Sequence, residues 1–175
     1  MSTLQVQTLQ GPTSGADSNT VRVADGHNLH AKGHVVQTVF TTSTTASTST
    51  SIYSWVPSTM LDTSFTPKFS NSLIVVEVNL QVRFSSNTAN TGCAIRIKSG
   101  SNVIGGTPTS AAEAFYYAGT TGAICYTRYA KTVEDDSGNT GARTYSFQTK
   151  MYAGTDEVTV SGASPSTMKI TEVAQ

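Results

Sequence analysis

At 175 residues, with eleven basic and eleven acidic side chains, the chain carries no net charge to draw it to nucleic acid or an anionic membrane. Its longest aliphatic run is "LIVV", far short of the ~20 residues that a membrane-spanning helix needs. Polarity comes instead from Ser and Thr, which fill 51 positions and, with 14 Gly, favour turn-rich β structure over helix.

The first 34 residues hold few large aliphatic side chains: Leu4, Val6, Leu9, Val21, Val23 and Leu29. That is too few for a core of their own, so the segment reads as an extended arm that gains order by packing on other chains. Leu4 with Val6, and Val21 with Val23, fall on common faces of short strands, which makes these six residues the candidate anchors. Met1 is not followed by a basic region and an apolar stretch, so no cleaved secretion signal is expected.

From residue 35 the pattern changes. "VVQTVF" alternates into "TTSTTASTSTS", and "SIYSWV" follows with aromatic residues. Threonine is stiff at χ1 and suits strands, and the run holds neither Gly nor Pro, so it predicts strand, kink and strand instead of a linker. "LIVVEVNLQVRF" is the clearest element: Ile74, Val76, Val78, Leu80, Val82 and Phe84 alternate with polar residues, giving a long strand with one buried face.

"CAIRIK" sets Cys93, Ile95 and Ile97 against Arg96 and Lys98, and "TSAAEAFYYAG" is the best helical candidate, of one or two turns. "AICYTRYA", "RTYSFQTKMYA", "EVTV" and "TMKITEV" predict further strands, separated by turn-forming stretches such as "KSGSN" and "EDDSGNTG". Short antiparallel strands at this spacing predict an all-β sandwich or jelly roll over 35–175, preceded by the arm at 1–34.

Chemistry-bearing residues are sparse. Cys93 and Cys125 lie in alternating apolar runs and read as buried free thiols. His27, His30 and His34 cluster, but lack accompanying ligands at metal spacing apart from Asp25. Glu134, Asp135 and Asp136 lie together before a turn; a sugar hydrolase needs two carboxylates facing each other, which adjacent residues on one tip seldom provide. No residue is therefore assigned a catalytic, metal-ligating or cofactor-binding role. Tyrosines flanked by small polar residues make good contact surfaces, and Tyr116, Tyr117 and Tyr126 are the candidate receptor contacts, with Tyr129 assigned to the core.

The phrases "MSTLQVQTLQG", "NTVRVADGHNLHAKG", "GHVVQTVFTTSTTASTSTSIYSWV", "SFTPKFSNSLIVVEVNLQV" and "SPSTMKITEV" resemble those of trimeric fibre and fibre-like virion proteins of marine and cyanobacterial tailed bacteriophages. The resemblance implies a homotrimeric, non-enzymatic virion protein, a short fibre or knob attached to other tail or capsid proteins and contacting a host glycan or protein. A capsid-decorating cement or head-fibre position is the alternative, and a polysaccharide-cleaving adhesin the more distant one. It implies neither nucleic-acid binding nor membrane insertion.

Overall fold

The computed structural model describes residues 31–86, 90–105, 113–118, 122, 124–152, 155–160 and 164–175, with backbone alone for 86, 90, 91, 113–118 and 156. The candidate anchors Leu4, Val6, Leu9, Val21, Val23 and Leu29 lie outside the described residues, as do His27 and His30. The described residues belong to the unit Ala31–Gln175 and hold strands but no helix.

β4 (Leu73–Ser86) organises the first sheet. Its six alternating apolar residues, Ile74 to Phe84, are all buried, as the period of two requires. β8 (Ile124–Asp136) pairs with nearly the whole of one edge, from Leu73↔Asp136 to Ser85↔Ile124. Two strands share the other edge end to end. β11 (Ser166–Val173) covers Leu73 to Asn79, and β10 (Thr155–Val160) covers Val82 to Ser86. β1 (Val35–Ser43) then pairs with β11, and β2 (Ser47–Ser49) pairs with β10.

The threonine-rich run therefore supplies two strands separated by a break at 44–46, as its composition predicts. Thr48 and Thr159 hydroxyls meet across the second pair at 3.1 Å.

The second sheet has β9 (Arg143–Met151) between β3 (Val56–Phe65) and β5 (Asn90–Ser99). On its far edge β5 pairs with β6 (Asn102–Ile104) and β7 (Glu113–Ala118). β7 corrects the expectation of a helical turn at "TSAAEAFYYAG". Its backbone pairs with β5 from Asn90↔Ala118 to Ile95↔Glu113, so ladder hydrogen bonds override the local helical preference of the alanines. β3 was not legible as a strand. A register shift between Ser58 and Thr63 breaks its alternation, and Pro57 sits where an edge strand tolerates a missing donor.

The core lies between the sheets. Leu61, Phe65, Ile95, Ile97, Tyr145, Phe147 and Met151 of the second meet the β4 side chains, Val158, Val160, Met168 and Ile170 of the first. Phe65 and Tyr145 pack edge to face with centroids 6.2 Å apart. Tyr129 is buried as expected, and Cys93 is a fully buried free thiol whose pKa is pushed up to about 12 by burial and secondarily by Cys125. Cys125 is half-buried and also free.

One charge is buried at the end of this core. Glu172 follows Met168 and Ile170 on the inward face of β11 and is inaccessible to solvent. Backbone N–H groups of Lys68 and Phe69 donate to it at 2.9 and 3.0 Å, and the Ser72 hydroxyl at 2.7 Å. Gln37 Nε2 donates at 2.7 Å while also reaching Thr66 O. Burial by itself would raise the Glu172 carboxyl, but these donors outweigh it and hold the pKa below its ordinary value of 4.5. Because the native pKa is depressed, the stabilisation is complete above that ordinary value and is lost as pH falls through the native one.

Glu172→Gln should therefore cost about 2–4 kcal/mol at pH 7. The gap between the two proteins should narrow as pH drops to about 3, below the ordinary glutamate range. Urea unfolding at both pH values checks this, and a gap independent of pH would overturn the assignment.

Candidate functional site

The outer face of the second sheet carries a cluster brought together by strand register and by the segments flanking β3 and β9. β9 places Gln148 opposite Arg96 of β5 and Pro57 of β3, and Lys150 opposite Ala94. Trp55 immediately precedes the Val56↔Thr149 pair, so it stands beside Lys150. Tyr152 follows β9 and donates its backbone N–H to Gly92 O at 3.0 Å. Tyr53 is tied to the same strand by its N–H to Met151 O, at 2.8 Å.

These placements generate a chain of alternating rings and cations. The Arg96 guanidinium lies 4.2 Å from the Trp55 ring centroid, and Lys150 Nζ 4.8 Å from the same ring and 5.2 Å from that of Tyr152. Tyr152 in turn meets Tyr53 edge to face at 6.2 Å. Arg96 Nε donates to Gln148 Oε1 at 2.7 Å, which accounts for a glutamine buried on a solvent-side face. Each cation–ring contact contributes about 0.5–1 kcal/mol where exposed and about 2 where desolvated.

Burial lowers the Arg96 pKa below its ordinary value, yet a guanidinium stays charged at neutral pH. Among the described residues no carboxylate pairs with Arg96 or Lys150. The cluster is thus a cationic, aromatic surface with 64% of Tyr53 exposed.

The outer face of the first sheet differs. It carries ion pairs of Lys169 with Glu77, at 2.7 Å, and of Arg83 with Glu157. Arg128 donates to Asn79 at 2.9 Å. Phe40, Ile124 and Tyr126 are exposed on it, and a shallow groove of about 360 Å³ runs beside Phe40, Glu77, Asn79 and Lys169.

Of the candidate receptor contacts, Tyr126 stands on this face opposite Arg83, in the sheet that does not hold the ring–cation cluster. Tyr116 and Tyr117 pair by backbone with Gly92 and Thr91, and their side chains lie outside the described residues. Tyr126 does not join Tyr53, Trp55 and Tyr152, which sequence reasoning missed. Their signal was long-range: the segment 53–55 meets the end of β9, about a hundred residues later in the chain.

At the acidic tip, Asp135 accepts from the Tyr145 hydroxyl at 2.8 Å and lies 3.7 Å from Arg143. Burial first, and Asp135 second, raise the Tyr145 pKa. Arg143 also donates to the carbonyls of Asp136, Ser137 and Asn139, so it clamps the turn. Among the described residues no group of three or more His, Cys, Asp or Glu gathers to hold a metal; His34 is exposed.

No family model matches the chain, and no curated protein does. Among solved structures, the chain is similar to a Bacillus endospore appendage of a disulfide-linked pilus family, at 13% identity over 86% of this chain and 99% of that one, with a TM-score of 0.33. It is also similar to a chain of infectious bursal disease virus, Gx strain, at 11% identity over 95% of this chain and 42% of that one, TM-score 0.40. A mutant VP2 protein of the same virus, in derived T=1 particles, gives 15% identity over 94% and 41%, TM-score 0.38. This chain spans less than half the length of either viral chain.

Tyr53 has φ of 59°, a left-handed conformation that costs an L-residue about 1–2 kcal/mol and a β-branched one more. Comparing Tyr53→Gly with Tyr53→Val removes the ring in both and isolates the backbone. The glycine variant should be more stable by about 1–2 kcal/mol in thermal unfolding. Equal stabilities would show that the strain is absent in solution.

Proposed function

We propose that the chain is a non-enzymatic structural protein of a tailed-bacteriophage virion. It forms a homotrimeric short fibre or knob whose arm, residues 1–34, attaches it to other virion proteins and whose β body meets the host surface. The phrase-level resemblance to phage fibre proteins motivates the origin, and the strand order carries the architectural part.

Take β1, β3, β4, β5, β7, β8, β9 and β11 as the principal strands in chain order. In one sheet the first lies beside the last, the last beside the third and the third beside the sixth. In the other the second lies beside the seventh, the seventh beside the fourth and the fourth beside the fifth. This order supports reading the body as an antiparallel jelly roll, a fold that recurs in viral capsid and lectin domains. β2 and β6 are three-residue additions to that frame, and β10 extends the first sheet beside β4.

Two surfaces support a contact role. Phe40, Ile124 and Tyr126 give the first sheet apolar area for another subunit to cover, and the ring–cation cluster gives the second a face for an outside partner. The exposed apolar residues also favour the second reading, a capsid-decorating protein with broad lateral contacts. Cleavage of polysaccharide finds little support, since Asp135 is committed to Tyr145 and Arg143.

Native mass spectrometry of the full chain should give a mass of three copies. A stable monomer at micromolar concentration would overturn the homotrimer.

A further inference from the structure

We infer that the outer face of the second sheet is a binding site for an acidic saccharide, a run of pyranose rings bearing carboxylates. The site is formed by Tyr53, Trp55, Arg96, Gln148, Lys150 and Tyr152. It rests on the proposed contact role only for where such a saccharide would be met; the binding chemistry follows from the cluster itself.

Charge complementarity sets the sign of the ligand. Arg96 and Lys150 both lie against the Trp55 ring, so their heads are within about 9 Å of each other. Among the described residues neither has a carboxylate partner, whereas the first sheet pairs Lys169 and Arg83 with glutamates. Two cations at this separation can meet carboxylates on neighbouring sugar rings, and the guanidinium can grip one bidentately.

The rings set the shape. Tyr53 and Tyr152, crossed at 73°, present ring area beside the cations, and sugar faces stack on such surfaces. Tyr53 is held outward by a strained backbone, an arrangement that persists only when surrounding structure enforces it. An acidic peptide fits less well. An extended peptide gains affinity by adding to a sheet edge, but Arg96 and Lys150 lie on β5 and β9, each paired on both sides, and at the nearby β3 edge Pro57 lacks a donor. A saccharide needs no such edge.

Trp55 is the chain's single tryptophan, so its fluorescence reports on the site directly. The full chain is titrated with oligogalacturonate, with a neutral cello-oligosaccharide of the same length, and with hexaglutamate peptide. Oligogalacturonate should change Trp55 emission with Kd of about 1 mM or below. Arg96→Gln and Lys150→Gln should each weaken binding at least about fivefold, equivalent to roughly 1 kcal/mol. Lys169→Gln, which removes an already paired cation on the other sheet, should leave it unchanged, and circular dichroism of each variant confirms that it is folded.

Equal binding of the neutral oligosaccharide would overturn the charge requirement and with it the inference. Hexaglutamate binding as tightly as the saccharide would overturn it in favour of an acidic protein partner. No response to oligogalacturonate also overturns it. Native mass spectrometry of the same sample separates this outcome from the proposed function: three copies without saccharide binding would sink the inference alone, and a monomer that binds saccharide would sink the trimer alone.

Discussion

The carboxylate of Glu172 is the interaction on which the closure of the β body depends. Removing an ion from water costs several kcal/mol even after relaxation, so a buried charge persists only where donors surround it. Here the donors come from three parts of the chain. Gln37 belongs to β1, Lys68 and Phe69 to the connection from β3 to β4, and Ser72 to the entry of β4. The connection passes from one sheet to the other, and its backbone N–H groups need acceptors that neither sheet supplies. Glu172 supplies them. One side chain therefore fixes where the chain crosses between sheets, how β11 ends, and where β1 begins to pair.

That constraint fixes β4, and β4 positions much of what remains. Its inward residues form one wall of the core, and it aligns β8, β10 and β11 at once. A one-residue slip would turn Ile74, Val76, Val78, Leu80, Val82 and Phe84 to solvent, so the register is strongly specified. The outer faces inherit this rigidity. Arg96 and Lys150 sit on strands paired on both sides, so ladders fix the two cations, and the rings of Tyr53, Trp55 and Tyr152 are brought to them by the segments that flank β3 and β9.

Much of this was legible in the sequence where burial and period two coincide. β4, β5, β9, β10 and β11 announce themselves by alternation, and the threonine-rich run reads correctly because β-branched residues without Gly or Pro have few other options. β3 escaped because a bulge and Pro57 interrupt its pattern, and β7 because alanines favour helix until a neighbouring strand offers a ladder. Glu172 gave no signal: an acid in "TMKITEV" looks like any outward residue until its parity with Met168 and Ile170 is seen to persist to the end of the strand.

The candidate site was the least legible part, for a reason that is physical. Local reading favours residues close in sequence, and so it selected Tyr116, Tyr117 and Tyr126. A sheet surface is also assembled across strands and the segments beside them, from positions far apart in the chain such as 55, 96 and 150. The amino acids at those positions are individually ordinary: a tryptophan after a turn, an arginine and a lysine on alternating strands. Their significance lies in what register leaves out. Where the first sheet sets Glu77 beside Lys169, and Glu157 beside Arg83, the described part of the second sheet sets rings beside its cations. Rings hold a cation in place without neutralising it, so the charge remains available to an anion arriving from solution.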